Sequence, residues 1–125
     1  MNKFNLNIWG RDFELPVSYD CYPGEGVLDT QIEAVESFLN TPMEVDNSKK
    51  NVETYILSNN SSDVGNSVVD NIFRYVTPKS LYIPRNKEKR VLAIMCDYRF
   101  DVEHGLAVVF ENEAFKAVGI QDIVL

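Results

Sequence analysis

Val91-Leu92-Ala93-Ile94-Met95 is a run of five apolar residues, and the reading of this run decides the fold. A half-buried strand alternates apolar and polar side chains, whereas a strand covered on both faces has no such need. The run therefore reads as the middle of a central strand over Arg90 to Tyr98. Turn residues bound it on both sides: Pro84 to Lys89 before it and Arg99 to Gly105 after it. Beyond these lie three more strand-like stretches, Ser80 to Ile83, Leu106 to Glu111 and Ala114 to Leu125, the last two separated by Asn112-Glu113.

Upstream the period changes. Val64, Val68, Val69, Ile72, Phe73 and Val76 recur at helical spacing, with Ser62 as a cap and Thr77-Pro78 as the stop, which predicts a helix. Val52, Tyr55 and Ile56 predict a shorter one before it, interrupted by Asn59-Asn60-Ser61-Ser62, whose side chains compete for backbone hydrogen bonds. Glu44 to Lys50 is polar enough to be an exposed connection. A further helix is expected from Thr30 to Leu39. Thr30 and Glu33 have capping-box spacing, Ile32, Val35, Phe38 and Leu39 form the buried stripe, and Thr41-Pro42 ends it.

At the N-terminus, Phe4, Leu6 and Ile8 alternate with asparagines, and the alternation resumes after Gly10-Arg11 at Phe13, Leu15, Val17 and Tyr19. Two half-buried strands in a hairpin follow from that period. Strands gathered at both ends with helices between them give an α+β fold rather than a doubly wound parallel sheet. The expectation is one domain over residues 1 to 125, with a largely antiparallel sheet of four to six strands and two or three helices packed on it.

The composition, 45% hydrophobic over 125 residues, suffices for one core. No stretch is apolar for the roughly 20 residues a membrane span needs, and Met1-Asn2-Lys3-Phe4-Asn5 is not built like a signal peptide. Cys21 and Cys96 read as unpaired thiols of a cytoplasmic protein. The net charge of −7 is unevenly spread. Asp12 to Ser48 holds nine acids and no Lys or Arg, while Arg74 to Arg90 holds six bases against Glu88 alone. An acidic surface repels phosphate backbones and speeds encounter with basic proteins, so a protein partner is expected and direct nucleic-acid binding is not. A charge-rich surface also serves solubility alone.

One stretch is dense in polar chemistry: Asp97-Tyr98-Arg99-Phe100-Asp101-Val102-Glu103-His104-Gly105 holds three carboxylates and the only histidine. Asp97, Asp101, Glu103 and His104 offer metal ligands or an acid and base pair, which keeps a metal-dependent or acid/base enzyme open as the alternative function. Successive strand residues point to opposite faces, so Glu103 and His104 reach one ion only if the loop folds back. The same residues equally serve a tight connection, with Asp101 and His104 satisfying loop amides, or a rigid loop that touches a partner. No phosphate loop, nucleophile elbow or Cys-x-x-Cys knuckle is present. No cofactor or metal is expected, and no residue is assigned as catalytic. Trp9, Tyr19, Tyr22 and Tyr82 become interface anchors wherever they are exposed.

The segment Asp101, Glu103, His104, Gly105 and Leu106, with Thr77 to Ile83 before it and Gly119 to Asp122 near its end, resembles a family of small bacterial domains of unknown function that share an Asp-x-Glu-His-Gly-Leu segment. The match spans roughly residues 77 to 123, and Phe100 stands where those domains commonly carry Trp. Some are encoded near polymorphic or contact-dependent inhibition toxins. The resemblance thus implies an immunity-type protein that binds and neutralises a toxin domain, and a basic toxin domain would suit the acidic surface. The expected contact residues are Asp20, Glu25, Asp29, Glu33 and Glu36 on the acidic segment, with Asp101, Glu103 and His104 on the loop. A monomer or weak dimer is expected, with an edge strand at Lys3 to Trp9 as the route to self-association.

Overall fold

The computed structural model describes residues 3–125. Strand β1 (Lys3–Ile8) turns at Trp9-Gly10, both with positive φ, into β2 (Arg11–Tyr19). Helices α1 (Asp29–Leu39) and α2 (Pro42–Val64) follow, then a 3-10 turn (Ile72–Arg74). The remaining strands are β3 (Val76–Ile83), β4 (Val91–Tyr98), β5 (Leu106–Glu111) and β6 (Ala114–Gly119), and a 3-10 turn (Gln121–Ile123) ends the ordered elements. The six strands form one sheet in chain order, antiparallel throughout except where β2 runs parallel to β3. Placing β3 beside β2 in the same direction needs a long crossover, and the two helices supply it. The fold is α+β, as the grouping of elements implied.

The apolar run at Val91 to Met95 lies in β4, flanked by β3 and β5. On one face Leu92, Ile94 and Cys96 join Leu81, Ile83, Val108 and Phe110 under the helices. On the other, Ala93, Met95, Ala107 and Val109 are covered by Tyr82, Val91 and Val124. Phe38 of α1 meets Phe110 of β5 at 5.1 Å between ring centroids. α2 spans the sheet from β1, where the Trp9 indole donates to Ser48 Oγ at 3.0 Å, to β6.

Three helical expectations change. Glu44 to Lys50 is not a connection but the first turns of α2, and its buried stripe is narrow: Val45, Ser48, Val52 and Ile56. Pro42 starts this helix rather than merely ending the previous one, because a missing N–H costs nothing in the first turn. The Thr41 hydroxyl, donating to the carbonyls of Ser37 and Phe38, closes α1 at the same point. The helix expected over Val64 to Val76 does not form. Gly65, left-handed at φ 71, caps α2, Asn71 caps a short 3-10 turn by accepting from Phe73 N, and Val76 already belongs to β3. Finally, the interruption at Asn59 to Ser62 is a kink inside α2, with Asn60 outside helical dihedrals and its side-chain oxygen accepting from the Tyr98 hydroxyl at 2.6 Å.

Pro78 sits inside β3 instead of ending a helix. The β2 ladder reaches only Leu81 to Ile83, so the stretch carrying Pro78 pairs with β4 alone, and a bulge follows between Pro78 and Ser80. An edge position and a bulge are where a strand tolerates proline. At the C-terminal end, β6 stops at Gly119 rather than running to Leu125.

Candidate protein-interaction site

The acidic segment of the sequence becomes β2, the loop after it, α1 and the first turns of α2. The buried stripe of α1 is Gln31, Ala34, Val35 and Phe38, at the i, i+3, i+4, i+7 spacing of one helix face. Gln31, only 1% exposed, is the residue that sets this rotation. Its side-chain oxygen accepts from Leu28 N at 2.8 Å, and its amide nitrogen donates to the carbonyls of Asp20 and Ile83 at 2.8 and 3.1 Å. One side chain thus caps the helix and ties it to the ends of β2 and β3. The Thr30 and Glu33 capping box is therefore not used, and the Thr30 hydroxyl instead donates to the Asn86 carbonyl in the β3–β4 turn.

With Gln31 turned inward, Ile32 turns outward. The sequence placed it in the buried stripe, yet it is 43% exposed. Asp29, Glu33 and Glu36, all exposed, share the outward face with it, so α1 presents an apolar side chain with three carboxylates along one side of it. Glu25 and Asp20 are exposed on the loop beside the helix start, together with Tyr22 at 64% and Val27 at 38%. Arg85 organises this loop: it pairs with the Glu25 carboxylate, donates to the Gly26 carbonyl at 3.4 Å and lies 5.1 Å over the Tyr22 ring.

Arg85 thereby ties the basic stretch to the acidic one, while its neighbours pair with acids of the C-terminal strands. Arg90, two-pronged on Glu113 at 2.8 and 3.0 Å, has its pKa raised mainly by that hydrogen bond, with a minor contribution from Glu33. Lys89 and Lys116 share Glu111. Charge asymmetry along the chain is therefore partly cancelled in space, and the outward stripe of α1 is one of the places where it persists.

Asp101, Glu103 and His104 lie elsewhere. They occupy the β4–β5 connection, at the far end of β4 from the α1 start, about 23 Å along the strand at 3.3 Å per residue. Within that loop His104 Nδ1 lies 2.9 Å from Asp101 Oδ1, and the His104 backbone N–H donates to the same oxygen at 3.2 Å. The side-chain hydrogen bond raises the His104 pKa and lowers that of Asp101. Gly105 has φ +60, and an added Cβ would stand 2.6 Å from the Cys96 carbonyl oxygen. Gln121 closes the loop from outside, donating to Cys96 O through its side chain and to His104 O through its backbone.

The four residues of the enzyme alternative do not converge. Asp97 faces Lys79 at 3.8 Å, and only Asp101 and His104 meet. Among the described residues no group of three His, Cys, Asp or Glu side chains is placed to hold a metal ion. Cys96 is fully buried, and burial pushes its thiol pKa well up, away from the reactive thiolate. Both cysteines are unpaired.

Trp9 is buried and Tyr19 and Tyr82 are half-buried, which leaves Tyr22 as the exposed anchor among the four aromatics considered. Among the described residues no helix is long and apolar enough to cross a membrane. No curated protein and no solved structure matches the chain. Residues 2–125 match the family described as a domain of unknown function, DUF6985, and the chain belongs to that family.

Proposed function

We propose that this chain is a protein-binding module of the immunity type, which binds a basic toxin domain through the outward face of α1 and the Tyr22 loop and so neutralises it. The observation that carries the reading is the exposure of Ile32 and Tyr22 among Asp29, Glu33, Glu36 and Glu25. Interfaces place an aromatic or aliphatic anchor inside a polar rim, and rim charges steer the partner and set the association rate. The toxin itself comes from the resemblance of the Asp101 to Leu106 segment, and the carboxylate stripe supports a cationic one. The loop of Asp101, Glu103 and His104, rigid but remote from α1, is a secondary contact if the partner is large.

Growth of cells expressing any toxin-like product encoded next to this chain tests the reading. Co-expression of the wild-type chain is expected to restore growth and the Ile32→Arg, Glu33→Lys variant to fail. Protection by both forms would remove α1 from the interface, and protection by neither would remove the toxin.

A further inference from the structure

Two hollows flank β1 on opposite faces of the sheet and share Asn5, Leu6 and Asn7. On the face away from the helices, Asn5 and Asn7 stand across the ladder from Glu14 and Asp12, and these side chains line a depression of about 470 Å³. On the helix face a second hollow, of about 250 Å³, is walled by Leu6, Phe38, Leu39, Pro42 and Val45. Between them runs the outer edge of β1, which is an end strand of the sheet. Among the described residues no strand pairs with that edge.

An open edge presents unpaired amides and carbonyls, and proteins that keep it closed do so with proline, bulges or inward charges. β1 has none of these. Its six residues pair with β2 in unbroken register, without proline, and its one charge, Lys3, lies at the end, 3.9 Å from Glu14. The other end strand differs: the β5–β6 ladder is broken by a bulge, and the hollow on its helix side mixes the polar Asn51, Thr54, Ser58 and Asn59 with Tyr55, Phe115, Ala117 and Val118.

We propose that the β1 edge accepts an extended segment of a cationic protein as an added strand, with apolar and basic side chains alternating along it. Successive side chains of a strand point to opposite faces. One apolar residue then enters the hollow between Leu6 and Val45 while its neighbour, if basic, meets Asp12 and Glu14. Backbone pairing supplies the affinity, and the two unlike hollows supply the selection. A second copy of this chain does not match, because β1 alternates its apolar residues with asparagine and each copy carries a net charge of −7. The site takes Phe38 and Leu39 from the inner side of the last turn of α1, and it does not depend on the role given to the outward face of that helix.

A short synthetic peptide of strictly alternating lysine and valine, titrated into the isotope-labelled full chain by NMR, is the test. The expected result is shifted and exchange-protected amides over residues 3–8. Binding should weaken about tenfold or more in Asp12→Lys, Glu14→Lys and stay unchanged in Ile32→Arg. Both acids are exposed, so the variant keeps its fold, and circular dichroism checks that. A peptide with the same residues in two blocks provides a readout that needs no variant. Equal binding of the blocked peptide, shifts confined to α1, or no binding would overturn the proposal. A concentration-dependent dimer protecting the β1 amides without peptide would also overturn it and assign the edge to a second copy.

Discussion

At the scale of single residues, the Asp101–His104 pair makes the sharpest statement. His104 is the only histidine, so its ring signals are unambiguous in solution. In the folded chain its pKa lies above the ordinary 6.5 and that of Asp101 below the ordinary 3.8. For the raised group, the stabilisation is complete below 6.5 and fades as pH climbs through the folded value. For the lowered group it is present above 3.8 and fades as pH falls through the folded value. The pair therefore stabilises the β4–β5 loop between those limits. An NMR titration should give His104 a pKa above 6.5 in the wild type and a lower one in Asp101→Asn. Identical titrations of the two forms would remove the contact. Gly105 is the second test at this scale. Its φ of +60 and the 2.6 Å approach to a backbone oxygen leave no room for a side chain. Gly105→Ala is expected to cost about 2–4 kcal/mol in urea denaturation, from strain plus a forced shift of the β4 backbone.

Elements differ in how far their sequence announces them. The strands were legible because period two survives local detail: β5 runs from Leu106 to Glu111 as expected, and the N-terminal hairpin turns at Gly10. The helices were less so. α2 buries only Val45, Ser48, Val52 and Ile56 in its length, with a serine in the stripe, so its first half looks like a solvated loop. Val64 to Val76 makes the opposite error: its apolar spacing is helical, but Gly65 and Asn71 cut it into pieces whose valines go to different places, with Val68 57% exposed and Val76 in the sheet. The acidic positions of α1 were visible in the sequence. The outward turn of Ile32 was not, because it depends on a glutamine in an apolar stripe. Admitting Gln31 to the pattern with Ala34, Val35 and Phe38 would have revealed it. Because that side chain makes three hydrogen bonds that join α1 to β2 and β3, Gln31→Ala should destabilise the chain by about 2–4 kcal/mol, since two carbonyls lose a donor in a buried site. Thr30→Ala, which removes one contact to the β3–β4 turn, should cost about 1 kcal/mol. Equal losses in chemical denaturation would mean that Gln31 is not the anchor.

For the molecule as a whole, sheet order and charge work together. Strands in chain order put the crossover helices on one face and leave β1 and β6 as ends, so the protein has an acidic helix surface and a separate open edge. The dipole implied by the chain's charge blocks is blunted because Arg85 folds back onto the acidic segment and meets Glu25, and Arg90 is held by Glu113. Part of what remains unneutralised lies on α1, beside the exposed Ile32. The account stands or falls on whether that face binds protein. The measurement that decides it is a binding titration of the immobilised wild-type chain, and of Ile32→Arg, Glu33→Lys beside it, against a purified basic toxin domain of the proposed partner class, at low and raised salt. The account predicts binding by the wild type that weakens with salt and falls at least about tenfold in the variant. Equal affinity of the two forms, or wild-type binding indifferent to salt, would contradict it.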